Sequence, residues 1–109
     1  MISEKVIYQL TDKIIEVINP EKIILFGSYG TGTQSEKSDL DILVVVKEDK
    51  EPRYKRARRI RKEIWGLVTI PKDILVYTEK EIKEWENVPF SFVSNVLSQG
   101  KTIYERKAS

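Results

Sequence analysis

Apolar positions follow two different spacings along this chain, which predicts helices that alternate with strands. Between Ser3 and Pro20 they recur at steps of three and four residues, as in a helix with one buried face, and Ser3 is a suitable N-cap. Residues 42–46 are apolar without alternation, as in a strand covered on both faces. Runs rich in β-branched and aromatic residues predict four strands, over residues 22–26, 39–46, 72–77 and 102–105.

A basic helix is predicted to begin at Pro52. Its apolar face would consist of Ala57, Ile60, Ile64 and Leu67. Its outward face would carry the seven basic residues between Arg53 and Lys62, namely Arg53, Lys55, Arg56, Arg58, Arg59, Arg61 and Lys62. This face has three interpretations: a solvated surface, a docking surface for an acidic partner or RNA, or a source of contacts to a nucleotide.

Two more helices are predicted after the third strand. Thr78 and Glu81 have the spacing of a capping box, which begins a short helix through Trp85. Residues 87–89 are expected to start another helix, and Gly100 is expected to end it. The aromatic residues of this part of the chain and of the basic helix are interpreted as core or interface residues rather than base-stacking platforms. They are Trp65, Trp85, Phe90 and Phe92.

The order of these elements predicts an α+β fold with alternating helices and strands, in which helices flank a small mixed sheet. Residues 39–77 form a strand-helix-strand unit, whose two strands should be parallel with a right-handed crossover. The connection over residues 27–38 is short, which favours an antiparallel pair for the first two strands. At 109 residues, we expect a single domain over residues 1–109.

The composition excludes several classes of chemistry. The chain contains no Cys and no His, so it has no disulfide framework, no Cys or His zinc site and no Ser-His-Asp relay. Its net charge of +2 is too small to indicate nucleic-acid binding by itself. The apolar runs are too short to span a membrane and the first residues lack a signal-peptide pattern, so a cytoplasmic location is expected.

Three aspartates are the strongest candidates for chemistry. Asp39 and Asp41 lie two residues apart at the start of a strand, so the two carboxylates share one face of the sheet. Asp73 lies at the start of the parallel strand and could join them. Two carboxylates about 4 Å apart repel by roughly 4 kcal/mol at an effective dielectric near 20, which favours a divalent cation with oxygen ligands. The alternative is structural: Asp39 turns the chain, Asp41 is solvated, and Asp73 begins an edge strand.

A glycine-rich turn precedes these aspartates. Residues 27–32 contain three of the five glycines, which indicates close backbone approach or positive φ. The turn lacks the Gly-Lys-Ser/Thr of a P-loop, and its glycine spacing does not fit the dinucleotide-binding motif. It is therefore a different kind of phosphate loop, if it binds phosphate.

Taken together, these residues resemble the minimal nucleotidyltransferases of the DNA polymerase β-like superfamily. The segment GSYGTGTQSEKSDLDILVVV (residues 27–46) is similar to the family signature of a glycine-serine turn, a spacer and an acidic-x-acidic pair. The segment KDILVYT, with Asp73, supplies the later acidic residue. The resemblance covers nearly the whole chain and implies the nucleotidyltransferase fold.

The resemblance also implies a role for each site residue. Gly27 and Ser28 would hold the triphosphate of ATP or another NTP. Asp39 and Asp41 would ligate two Mg²⁺ ions, with Mn²⁺ as a substitute, and Asp73 would complete the site and help to activate the acceptor hydroxyl. Many relatives carry arginines just after the glycine-serine pair, whereas this chain has Tyr29 and Thr31.

Minimal members of this superfamily resemble the antitoxins that pair with HEPN toxins. The resemblance therefore implies transfer of AMP from ATP to a hydroxyl of a HEPN-family toxin, within a homo- or hetero-oligomer. One alternative is a non-catalytic module that binds a nucleotide or neutralises a HEPN protein by complex formation. Another is nucleotidylation of a small molecule such as an aminoglycoside. No membrane partner is implied, and nucleic acid stays open as a partner.

Overall fold

Helices and strands alternate in the computed structural model, which describes residues 3–67 and 71–107. The helices are α1 (Glu4–Ile18), α2 (Gly27–Thr31), α3 (Arg53–Arg56), α4 (Arg58–Ile64), α5 (Glu79–Trp85) and α6 (Phe92–Gln99). The strands are β1 (Lys22–Phe26), β2 (Leu40–Val46), β3 (Lys72–Thr78) and β4 (Lys101–Glu105). No helix within the described ranges is both long and apolar enough to cross a bilayer.

The strands form one mixed sheet in the order β3-β2-β1-β4. β1 pairs antiparallel with both β2 and β4, whereas β2 and β3 are parallel. The antiparallel β1-β2 pair confirms the prediction from the short connection, and the parallel β2-β3 pair confirms the prediction from the strand-helix-strand unit. The predicted α+β class is also confirmed. The extent of the domain over residues 1–109 stays a prediction.

Each face of the sheet is covered by its own helices. α1 and α4 pack on one face, where Leu10, Ile14, Ile60 and Ile64 are buried against alternate strand residues. α5 and α6 cover the other face, where Val93 and Val96 pack on the intervening strand residues. Because successive strand residues point to opposite faces, β2 is apolar at almost every position and is buried on both sides.

The first helix has the predicted ends. The N–H of Val6 donates to the hydroxyl of Ser3 at 3.3 Å, which satisfies one of the amides left free at the first turn. The helix ends at Asn19, which takes the left-handed conformation with φ of 48° and donates its N–H to Ile15 O at 2.9 Å. The capping box of Thr78 and Glu81 at the start of α5 is likewise confirmed.

The prediction of a single helix after Pro52 is wrong. The chain turns at Ala57, which separates α3 from α4. The expected outward direction of the basic residues is also wrong for Arg56, whose side chain is buried and bonded to Glu81 of α5. Leu67, predicted to face inward, is 46% exposed, because α4 ends at Ile64 before the helical period reaches it.

The predicted start of the last helix at residues 87–89 is wrong as well. α6 begins at Phe92, where the hydroxyl of Ser91 accepts from the N–H of Ser94. Phe90 precedes this cap with φ of 64°, so the helix cannot extend back through it. The core alternative for Trp65 and Phe90 is also wrong, since both side chains are almost fully exposed.

Candidate active site

Asp41 lies between two paired neighbours at one level of the sheet. Its partner on antiparallel β1 is Phe26, and its partner on parallel β3 is Asp73. Residues paired directly across strands point to the same face, so all three side chains point to the face that α5 and α6 cover. The register therefore brings the carboxylates of Asp41 and Asp73 side by side. We call Phe26, Asp41 and Asp73 the aspartate row.

Asp39 lies beside this row. It immediately precedes β2, where the N–H of Leu40 donates to Pro71 O at 3.0 Å and ties the start of β2 to the chain entering β3. Asp39 and Asp41 are two positions apart in the sequence, so the strand period directs both toward the same face. Asp39 and Asp73 are exposed, and Asp41 is half-buried.

The electrostatics of the row disfavour the charge on Asp41. Burial raises the pKa of the Asp41 carboxyl, and the negative charges of Asp73 and Asp39 raise it further. The three carboxylates are therefore within electrostatic reach of one another. A cation placed among them would remove the repulsion that the protein alone leaves uncompensated.

The donor set suits a hard divalent cation, because carboxylate oxygens are the ligands that Mg²⁺ and Mn²⁺ prefer. As the side chains stand, however, no three acidic residues of the described ranges form a group that could hold a metal ion. Asp39 and Asp73 are exposed, so rotation of their side chains would not disturb the core. The residues fit a cation in chemistry and in position, and such a rotation would be needed to close the site.

Gly27 directly follows Phe26 in the sequence and lies against the carboxylate of Asp41. A Cβ built at this position would lie 2.3 Å from Asp41 Oδ2, closer than any side chain can approach. The backbone of Gly27 also has φ of 64°, in the left-handed region. Two independent constraints therefore require glycine, and the predicted close approach of backbone at this turn is present.

The turn that begins at Gly27 is the short helix α2. Ser28 is half-buried in its first turn, and the N-cap residue Phe26 supplies no side-chain acceptor to the amides there. The Thr31 hydroxyl lies 3.4 Å from Gly27 O and from Ser28 O, and 2.9 Å from the Thr33 hydroxyl. Tyr29 is 5% exposed and packs in the core. Neither Tyr29 nor Thr31 supplies a cationic side chain to this turn.

Residues 8–101 match the sequence family described as "Nucleotidyltransferase domain". The chain belongs to this family. The matched range takes in the glycine turn and the complete aspartate row. It also includes α5 and α6, the two helices on the carboxylate face of the sheet.

Similar proteins include a relative from Methanocaldococcus jannaschii named "Putative protein adenylyltransferase MJ0141". It is 35% identical over 83 residues, which cover 76% of this chain and 78% of the relative. A crystal structure described as "a putative nucleotidyltransferase from Sulfolobus solfataricus" has a TM-score of 0.65 at 21% identity, covers 94% of this chain and 79% of that one, and shows the common fold. A structure described as "the toxin-antitoxin with AMP-PNP" has a TM-score of 0.53 at 25% identity and covers 97% of this chain and 76% of that one.

In this nucleotidyltransferase the aspartate row lies apart from a cavity that has both charged and apolar lining residues. That cavity, of about 260 Å³, is lined by residues at the far end of the sheet, among them Lys22, Val45, Leu97 and Glu105. Its lysines and glutamates offset one another, whereas the row gathers charge of one sign. The like charges, and not the concavity, identify the candidate site in this nucleotidyltransferase.

Phe26 belongs to this site although no local pattern in the sequence indicates it. Its role follows from the antiparallel register that sets it beside Asp41. The ring of Phe92 packs edge-on against it at 5.3 Å between centroids, so the start of α6 lies next to the row. In this nucleotidyltransferase, Phe26 and Phe92 thus form an apolar wall beside the acidic site.

Proposed function

We propose that this nucleotidyltransferase is a metal-dependent protein adenylyltransferase, which transfers AMP from ATP to a hydroxyl of a HEPN-family toxin and acts as its antitoxin. The main support is the register that pairs Asp41 with Asp73 beside Gly27. The names of the M. jannaschii relative and of the toxin-antitoxin structure favour this acceptor class over a small molecule. A cytoplasmic location and a single domain over residues 1–109 belong to the same proposal.

The chain's residues have distinct tasks in this proposal. Asp39, Asp41 and Asp73 would hold two divalent cations, Mg²⁺ or Mn²⁺. When bound, such ions would neutralise charge on the triphosphate and lower the pKa of the attacking hydroxyl. Gly27 lets the backbone approach the phosphates closely, and Ser28 offers its hydroxyl and amide to them.

The transfer is an in-line displacement at the α-phosphorus of ATP. The acceptor oxygen forms a bond to that phosphorus while the bond to the bridging oxygen breaks, and pyrophosphate leaves. The hydroxyl proton passes to the Asp73 carboxylate, which is the exposed member of the row. Most of the rate would come from positioning and from neutralised charge, so no imidazole is required.

A second candidate function is neutralisation of the partner by binding alone. The glycine turn favours it, because Tyr29 is buried and Thr31 faces backbone carbonyls, so neither offers a cation to a triphosphate. In this alternative the protein binds a nucleotide weakly or not at all. It would act through a stable complex instead.

Transfer of label separates these two functions. The protein, co-purified with the HEPN-family protein, is incubated with α-³²P-labelled ATP and Mg²⁺. We expect label on the partner, and a loss of about 10³-fold or more in Asp39→Asn, because one charged group of the reaction centre is removed. Asp12→Asn, which removes an exposed carboxylate from α1, is the matched control and should label normally. A stable complex that never takes up label would support the binding function.

A further inference from the structure

We propose that the connection between α5 and α6 is the surface on which the acceptor protein docks. The exposed apolar side chains of this connection are Trp85, Val88, Phe90 and Phe92, which we call the apolar ridge. The occupant is a polypeptide surface with an apolar recess for Phe90 and a cationic rim. The identity of this partner as the acceptor rests on the proposed function.

The ridge exposes more apolar surface than the fold requires. Phe90 is 94% exposed and Trp85 is 45% exposed, with Val88 and Phe92 partly exposed beside them. Four large apolar side chains are exposed within eight consecutive residues, and clustered apolar exposure of this kind on a folded protein marks interaction sites. Aromatic residues at the centre of such a patch usually contribute most of the binding energy.

Phe90 also adopts a backbone conformation that is costly for its residue type. Its φ of 64° lies in the left-handed region, which costs about 1–2 kcal/mol for a residue other than glycine. Glycine or asparagine would occupy this turn with less strain. An exposed ring that gains no packing in exchange for this strain is therefore explained by a contact outside the chain.

Hydrogen bonds hold the ridge in one shape. The Ser91 hydroxyl donates to Trp85 O at 3.0 Å and accepts from the N–H of Ser94 at 3.1 Å. The N–H of Val88 donates to Trp85 O at 3.0 Å. The turn is thus fixed at both ends by local bonds and presents Phe90 in a defined direction, which lowers the entropy lost on binding.

The ridge adjoins the aspartate row. Phe92 packs against Phe26 at 5.3 Å and against Tyr77 at 5.7 Å between ring centroids. Phe26 is the paired neighbour of Asp41, so one side chain separates the ridge from the acidic site. A protein seated on the ridge would therefore approach the same face to which the carboxylates point.

Charge around the ridge favours a basic partner. Glu84 and Glu86 are exposed on either side of Trp85, and neither forms an ion pair within the described ranges. The aspartate row adds negative charge on the same face. The exposed basic residues of α4 lie over the opposite face of the sheet, and Arg53 of α3 is already paired with Glu81, so charge also orients the partner.

The test compares an exposed aromatic residue of the ridge with one outside it. Phe90→Asn keeps a residue that tolerates the left-handed conformation and removes the ring. Tyr54→Asn, which removes a 75% exposed ring from α3, is the matched control. Affinity for the HEPN-family protein is measured by calorimetry, alongside affinity for Mg²⁺ with a non-hydrolysable ATP analogue, melting temperature, and the KM and kcat of transfer.

We expect Phe90→Asn to melt at the same temperature or higher and to bind the HEPN-family protein about tenfold or more weakly. KM for the acceptor should rise with little change in kcat, and affinity for the ATP analogue should be unchanged. Tyr54→Asn should match the parent protein in every measurement. Replacing Glu84 and Glu86 together by Lys should weaken the complex further and reverse its dependence on salt.

Unchanged partner affinity in Phe90→Asn would overturn the proposal, as would failure of the parent protein to bind the HEPN-family protein. Loss of ATP-analogue affinity would overturn it in favour of a nucleotide contact. Loss of a self-associated form in sedimentation would overturn it in favour of a second copy of this chain. A complex that depends on Phe90 but never transfers AMP would support docking and refute the transferase. Normal transfer of AMP by Phe90→Asn would support the transferase and refute docking on the ridge.

Discussion

The two ends of β3 use charge in opposite ways. At the start of the strand, Asp73 lies beside Asp41, and like charges raise the pKa of Asp41. At the other end, Glu81 lies beside Arg56 and Arg53. Partial burial opposes the charge of Glu81, but hydrogen bonds from Arg56, Thr78 and Arg53 outweigh it and lower its pKa to about 2.

In the cluster of Glu81, Arg56 and Arg53, the opposite charges are paired with one another. Arg56 donates from Nε to Glu51 O at 2.8 Å and from Nη1 to Val76 O at 3.2 Å, in addition to its bond with Glu81. The Arg53 guanidinium lies 4.2 Å from the centre of the Tyr77 ring. This end therefore stabilises the fold, because its opposite charges are paired with one another. The aspartate end lacks such compensation, which is the condition expected of a binding site.

The largest effect on stability should follow from removing the charge of Glu81, which pairs with Arg56 and Arg53. Glu81→Gln leaves Arg56 buried with its charge uncompensated, so we expect a loss of about 2–3 kcal/mol in the free energy of unfolding, measured by urea denaturation. Glu84→Gln, at an exposed position of the same helix, should change it by less than about 0.5 kcal/mol. Equal losses in the two variants would contradict the comparison.

The same cluster predicts a dependence on pH. The folded-state pKa of Glu81 is depressed to about 2, so its stabilisation is present above the unfolded pKa near 4.5 and is lost as pH falls from there toward 2. Between pH 5 and pH 3 the parent protein should therefore lose more stability than Glu81→Gln does. Parallel curves for the two proteins would show that the ion pairs contribute nothing.

A smaller effect separates two glycines in the same turn. Gly27→Ala and Gly32→Ala both place a side chain at positive φ, so each should lose about 1 kcal/mol. Only at Gly27 would the new Cβ meet Asp41, whereas nothing lies within 4 Å at Gly32. The Asp41 side chain can rotate away, so the fold survives but the carboxylate leaves its place. We expect Gly27→Ala alone to lose the rise in melting temperature that Mg²⁺ and ATP produce.

The smallest effect should be a gain in the free energy of unfolding when Asp41 is replaced. Because the pKa of Asp41 is raised in the folded state, its contribution makes the protein less stable as pH rises above the ordinary carboxyl range. Asp41→Asn should therefore be more stable than the parent protein at pH 7 without added cation, by up to about 1 kcal/mol. Mn²⁺ should raise the melting temperature of the parent and not of the variant. A less stable variant without cation would mean that the row is not under electrostatic strain.

Local pattern was sufficient for the strands and for two of the three strand pairings, whereas the pairing of β4 with β1 was not predicted. The short connection after Phe26 and the long crossover after Val46 fixed the antiparallel and parallel pairs, and these in turn brought Asp73 to Asp41. The spacing of Asp39 and Asp41 required only the strand period. The metal and nucleotide roles of these residues stay predictions.

Local pattern failed where a distant partner decides the outcome. The helical period predicts that Arg56 is one more exposed basic residue. Its side chain is buried instead, because it bonds to Glu81, which lies 25 residues away in the sequence. A charge reversal at Arg56 would consequently unfold this corner rather than probe a docking surface, and Arg59 is the better choice for that purpose. Phe90 was unpredictable for a similar reason, because nothing local favours an aromatic residue at positive φ.

The register of β3 against β2 places a strict length requirement on the segment that joins them. Side chains alternate between faces, so insertion or deletion of one residue between Ile64 and Asp73, carried through to the strand, would turn the Asp73 carboxylate toward α1 and α4 and bury it there. Single-residue length changes that shift the register of β3 should therefore abolish catalysis, whereas the exposed residues 35–37 can vary in length more freely.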